Sequence, residues 1–156
     1  MNSTQNIAND KYENYKLLFQ HFLNLKDFEN YGTIVLDLSQ FKPSIEKKRY
    51  TQLTEYILYL ALQALKISEK YNNHHLKVYV NLTNSSISNF SLKYFKYINQ
   101  ILAQALPERL LLCTVYSNSK LYALLWGMVK KHIDKDTIKK FKFAKKKDID
   151  VDLIFS

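Results

Sequence analysis

The hydrophobic positions along the chain change period several times, and each change marks an element. Over residues 10–28, Tyr12, Tyr15, Leu18, Phe19 and Phe22 recur at helical spacing, and Asp10 followed by Glu13 resembles a capping box. This predicts an amphipathic helix behind a flexible polar terminus, residues 1–9. The β-branched and apolar run 33–38 sits between Gly32 and Pro43 and reads as a strand. Pro43 and Ser44 then open a predicted helix of 45–71, apolar nearly all round from Tyr56 to Leu62. A second strand is predicted at 76–82 and a helix at 92–106, capped by Ser91 and stopped by Pro107. The run 110–116 is apolar almost throughout, as a strand covered on both faces should be. Behind Asn118 or Ser119 as cap, the stripe Leu121, Leu124, Leu125, Met128, Val129 and His132 predicts a helix of 120–133. Residues 140–143 alternate like a strand with one wet face, and 148–155 alternate like an extra strand.

Strands alternating with helices of ten or more residues predict βαβ units. The expected fold is α/β, with a mainly parallel sheet, helices on both faces and right-handed crossovers. A chain of 156 residues, 47% hydrophobic, fits one domain, taken as 10–156. No apolar run reaches the ~18 residues of a spanning helix, and the polar start predicts no secretory signal. The single cysteine, Cys113, excludes an internal disulfide, so a reducing cytoplasm is the expected location, with peripheral contact to membranes.

Composition removes several chemistries. Two glycines, Gly32 and Gly127, are too few for a phosphate-cradling loop or a dinucleotide fingerprint. His21 and His132 lack Cys or carboxylate partners at ligand spacing, so no metal is expected. Ser117 and Ser119 lack nucleophile-elbow glycines, so no hydrolase triad, no cofactor and no enzyme are expected. The net charge of +9 is concentrated: residues 120–147 hold 10 lysines against Asp134 and Asp136. Lysine acts as a solvated point charge, which suits an anionic surface better than planar base recognition. Nucleic acid is therefore not an expected partner.

From the second strand onward the residues become specific. The stretch Val78-Tyr-Val-Asn-Leu-Thr-Asn-Ser-Ser-Ile-Ser88 ends a strand in a Ser-rich loop. A helix leads from there to Leu106-Pro107-Glu108-Arg109-Leu110. Next come a strand, a polar turn, an apolar helix, the Ile133-Asp134 turn and Thr137-Ile-Lys-Lys-Phe-Lys-Phe143. In order and spacing, residues 76–143 resemble the CRAL-TRIO (Sec14-like) lipid-binding domain family. Asn81 stands where Sec14 proteins usually carry Asp, which is similar to the divergent BNIP-2 and Cdc42GAP homology type. Where the family continues into a gating helix this sequence has its alternating tail, and the family's N-terminal helical bundle is represented by one helix. A reduced domain with a groove is thus expected rather than a closed cavity.

The resemblance implies a non-catalytic module for a phospholipid, phosphoinositide-type, or another hydrophobic ligand. By position, Glu108, with Arg109 beside it, and Lys140 fall where phosphatidylinositol-transfer members contact the inositol phosphate. Ser85, Ser86 and Ser88 fall where Sec14 proteins contact phosphocholine. Tyr56 and Ile57 would line the apolar groove, placed between helix 45–71, the sheet and helix 120–133. Lys130, Lys131, Lys139, Lys142, Lys145, Lys146 and Lys147 would meet an anionic membrane. Each has a plainer structural alternative: Glu108 and Arg109 as a helix-end cap, Tyr56 and Ile57 as core, the lysines as a solvated face. The rival function is a lipid-free protein-interaction module, or a homodimer, that buries the groove against a partner.

Overall fold

The computed structural model describes residues 3–145 and 151–155. Five strands form one sheet in the order of the chain: β1 (Leu23–Phe28), β2 (Tyr31–Asp37), β3 (Leu76–Asn81), β4 (Leu110–Tyr116) and β5 (Phe141–Ala144). β1 runs antiparallel to β2, and the other pairs are parallel. The α/β class and the mainly parallel sheet are those expected from the sequence.

The first predicted helix is the main correction. Helix α1 spans Ser3–Phe19, and residues 23–28, assigned above to its end, form the edge strand β1. Glu29 and Asn30 make the hairpin turn to β2, both with positive φ (50° and 69°), as the right-handed twist of a two-residue turn demands. No glycine marks that turn, and Phe22, with Leu25 three residues on, mimics helical spacing. The local pattern therefore gave no break.

Helix 45–71 resolves into α2 (Pro43–Glu46), a 3-10 turn at Lys47–Arg49 and α3 (Tyr50–Glu69). The Glu46 carboxylate, 1% exposed, is held by both of its oxygens on the Arg49 guanidinium. Gly32 lets α3 lie directly on β2: a Cβ there would collide with the backbone of Ala64, and the Gly32 N–H donates to Ser68 Oγ at 2.8 Å. Helix α4 (Leu92–Ala105) is capped by Ser91, whose hydroxyl accepts from the Tyr94 N–H. Tyr94 ties α4 to α3, stacking on Tyr50 at 4.0 Å with its hydroxyl 2.9 Å from Thr54 Oγ1. Helix α5 (Leu121–Val129) and the short α6 (Lys135–Ile138), capped by Asp134, complete the last crossover.

Because successive parallel strands add in one direction, crossovers of one hand put α3, α4 and α5 on the same face. One core confirms this: Ile34 and Leu76 pack with Leu53, Leu60 and Ala61 of α3, Tyr94 of α4 and Leu125 of α5. The opposite face has its own small cluster. There Val35 and Tyr79 receive Ile154, with Phe28 and Phe155 beside them. Ile154 belongs to α7 (Val151–Phe155), so these five residues are helical rather than the extra strand expected over 148–155; residues 148–150 lie outside the described ones. The three crossover helices thus share one face, and α7 supplies the helix on the other.

Replacing Gly32 by Ala should lower stability by about 3 kcal/mol or more, since neither backbone can retreat; urea unfolding measures it. Burial pushes Cys113 from 9.0 up to about 12, and Tyr56 and Tyr94 from 10.0 up to about 12. These groups ionise more readily in the unfolded chain, so their contribution is full below about pH 9 and fades as pH rises toward 12. The urea midpoint should therefore fall steadily above pH 9, and Cys113 should resist thiol reagents until the chain unfolds.

Candidate functional site

A cleft of about 820 Å³ opens where α1, α3 and the edge strand β1 meet. Its apolar floor is Phe22, Leu25, Tyr56, Leu60 and Ile67. One wall is a stacked pair, Tyr12 of α1 on Tyr59 of α3, with ring centres 3.9 Å apart. The rim carries Lys16, Lys26, Lys66 and Lys70 against the carboxylates Glu13 and Asp37. Nearby, Lys70 pairs with Asp27 at 3.2 Å, and the Tyr71 hydroxyl donates to the same carboxylate at 2.9 Å. Outside the cleft, Lys11 and the Tyr15 hydroxyl both reach Glu55, at 2.6 and 3.2 Å, and these bonds hold the Glu55 carboxyl below its ordinary value. Together these contacts fasten α1 to α3 and keep the cleft's walls in place.

Chemically the cleft offers an apolar floor, neutral phenols and ammonium groups. Burial, with Tyr59 and Glu13 adding to it, keeps Tyr56 protonated. That combination suits an amphiphile with an anionic end. A smaller cleft of about 560 Å³ lies at the carboxyl ends of β4 and β5, lined by Ser117 to Lys120, Tyr122, Phe143 and Lys145 among others.

The residues proposed from sequence fall in several places. Glu108 is exposed, with a φ of 60°, in the turn between α4 and β4. Arg109 donates from its guanidinium to the His74 carbonyl at 2.9 Å, joining the approaches to β3 and β4. Lys140 stands just before β5, its carbonyl accepting from the Cys113 N–H at 2.8 Å. These three sit at the amino ends of their strands. Ser85, Ser86 and Ser88 follow β3, at the sheet's carboxyl end. Ser86 and Ser88 bond each other at 2.6 Å, whereas Ser85 Oγ is shielded from solvent and, among the described residues, meets no hydrogen-bond partner. Tyr56 is 4% exposed and contributes to the floor of the larger cleft, and Ile57 packs half-buried against the main core. Lys130, Lys131, Lys139, Lys142 and Lys145 are exposed, while Lys146 and Lys147 lie outside the described residues.

The groove expected between α3, the sheet and α5 is filled by the main core. The open cleft lies on the other flank of α3. Sequence reasoning missed its rim because it depends on β1, which was read as helix; recognising Leu23 and Leu25 as an inward-facing alternation would have exposed it.

A family model described as "CRAL/TRIO domain" matches residues 20–154. Among solved structures, the crystal structure of Sfh5, a Sec14-like protein, superposes with a TM-score of 0.67 at 18% identity. The match covers 81% of this chain and 48% of that one, so the chain spans about half the length of its structural relative. No curated protein is significantly similar in sequence. The resemblance read from residues 76–143 is thereby borne out and extended in both directions.

The Tyr12–Tyr59 stack should be the main fastening of the cleft's outer wall. Tyr12→Ala should cost about 1–3 kcal/mol, from lost stacking plus ring burial. Hydrogen exchange should show the loosening concentrated in α1, with β3 and β4 unchanged.

Proposed function

The chain belongs to the CRAL/TRIO domain family, and from that premise we propose that it binds an anionic amphiphile, a lipid or similar hydrophobic molecule, in the cleft between α1, α3 and β1. The family is one of domains that bind lipids and other hydrophobic ligands. The observation that carries the assignment to this cleft is its make-up: about 820 Å³ with an apolar floor and four lysines at the rim. That volume lies within the usual range for small-molecule sites, roughly 300–1,000 Å³. The apolar part of the ligand would displace water from the half-buried Leu25, Tyr59 and Ile67, and its charged end would remain at the wet rim among the lysines.

The reading is non-catalytic. Uptake and release require only a difference in affinity between protein and membrane, with no bond made or broken. The same proposal includes association with anionic membranes through the lysines of 120–147, each contributing ~1 kcal/mol near such a leaflet. The family pattern supports a rival position for a phosphoinositide headgroup, at Glu108 and Lys140 before β4 and β5.

Native mass spectrometry after incubation with phosphatidylcholine, phosphatidylserine, phosphatidylinositol phosphate and free fatty acid tests the reading. The anionic ligands should be retained. Lys16 and Lys66 are exposed, so the double variant Lys16→Glu/Lys66→Glu should keep its fold and lose at least ~5-fold in retention per charge changed. If Lys140→Glu weakens binding and the cleft variant does not, the headgroup site is at the amino end of the sheet instead. Retention of no ligand at all by the unaltered chain would overturn the proposal.

A further inference from the structure

The smaller cleft, about 560 Å³ at the carboxyl ends of β4 and β5, shares no residue with the proposed amphiphile site. Val115 of β4 and Ala144 of β5 lie at its base. One wall is aromatic: Tyr122 of α5 and Phe143 of β5 stand 5.4 Å apart at 40° between their planes, and Trp126 backs Phe143 at 5.2 Å. Tyr122 is 40% exposed and Phe143 39%, so both rings keep open surface. The polar loop Ser117-Asn-Ser-Lys120 forms the other wall, and Lys145 completes the lining.

The polar groups of this cleft are one-sided. Elsewhere the lysines and phenols that make contacts end on acceptors: Lys11 and Tyr15 on Glu55, Lys70 and Tyr71 on Asp27. Here the Lys120 ammonium, the Tyr122 hydroxyl and the Asn118 carboxamide meet no hydrogen-bonding or ionic partner among the described residues. No Asp or Glu occurs from residue 110 to residue 133, nor from 137 to 147. Donors and cations gathered without an acceptor fit an anion, and the aromatic wall fits a flat ring. We infer that this cleft binds a small aromatic carboxylate. Its carboxylate lies between Lys120 and Lys145 and accepts from Asn118, and its ring packs on Tyr122 and Phe143. A phosphate fits less well, because the backbone N–H groups that would cradle it are already used. Ser117 N–H donates to the Ala144 carbonyl, Ser119 N–H to Ser117 Oγ, and Leu121 N–H to Ser119 Oγ. A long acyl chain fits less well too, since it would strip water from the loop Ser117–Lys120 and return no hydrogen bonds.

Trp126 is the only tryptophan, so its indole N–H gives one nuclear magnetic resonance signal that reports on the aromatic wall. The full chain is titrated with 2-naphthoate, with the uncharged 2-naphthylmethanol and with acetate, which carries the charge without the ring. 2-Naphthoate should saturate and move both the Trp126 indole and the Asn118 carboxamide signals. The alcohol and acetate should each bind at least about tenfold more weakly. Lys120 and Tyr122 are exposed, so Lys120→Gln and Tyr122→Leu should keep the circular dichroism of the unaltered chain and each weaken 2-naphthoate about fivefold. Lys16→Glu/Lys66→Glu, in the larger cleft, should leave its affinity unchanged. Absence of saturable binding would overturn the inference, as would equal binding of the alcohol or of acetate. Affinity that ignores Lys120→Gln and Tyr122→Leu but falls in Lys16→Glu/Lys66→Glu would place the naphthoate in the α1–α3 cleft and overturn it as well. The amphiphile reading stands or falls separately, on lipid retention measured by mass spectrometry.

Discussion

Helix α3 can lie as close to strand β2 as it does because Gly32 has no side chain. At that point the backbone of the strand meets the backbone of the helix at Ala64, and Ser68 one turn on accepts the strand's N–H. Most other packing takes its position from this seat. α1 rests on α3 through its tyrosines, β1 folds back along β2 beneath both, and Tyr94 brings α4 against the far side of the same helix. Bulk at position 32 would lift α3 off the sheet and carry the walls of the α1–α3 cleft with it.

The order of the strands sets the second constraint. Four parallel strands added in one direction place every crossover helix on one face, and the core that results is continuous from α3 to α5. This leaves two open regions. One is the sheet's β1 edge, where the antiparallel hairpin and α1 frame a cleft. The other is the β5 edge, where α5 ends the helical layer among the described residues. The first is concave, with an apolar floor and charges confined to its rim. The second exposes Tyr122 and Leu124 of α5 and Phe143 of β5, with Lys120, Lys130 and Lys131 at the ends of the helix. The two lie at opposite ends of a sheet whose middle is occupied by structural contacts such as the Arg109–His74 bond.

Much of the fold was legible in the chain itself. Strand 110–116 was placed to the residue, and the Ser91 cap and the family pattern of 76–143 were read correctly, because caps, proline stops and runs of apolar residues act within a few residues of themselves. The family followed for the same reason: its markers are an ordered set of local punctuation. Where the reading failed, the deciding contact was distant. Strand β1 exists because β2 offers it a ladder, and residues 151–155 are helical where Ile154 reaches Val35 and Tyr79. Leu124 belongs to the helical stripe by spacing, yet faces outward because the sheet ends at β5.

Sequence alone therefore determined the class of the protein, its family, the alternation of strands and helices and the basic character of residues 120–147. Only the tertiary structure decided where the open surfaces lie. It moved the apolar opening from the α5 side of α3 to the α1 side, put Glu108 and Lys140 at one end of the sheet and the serine loop at the other, and left one face of α5 bare. Periodicity states that a residue is apolar and which neighbours along the chain share its side; it carries no record of which side will be covered. That depends on strand order and on how closely two backbones approach, and here both turn on contacts, such as Gly32 with Ala64, between residues far apart in the chain.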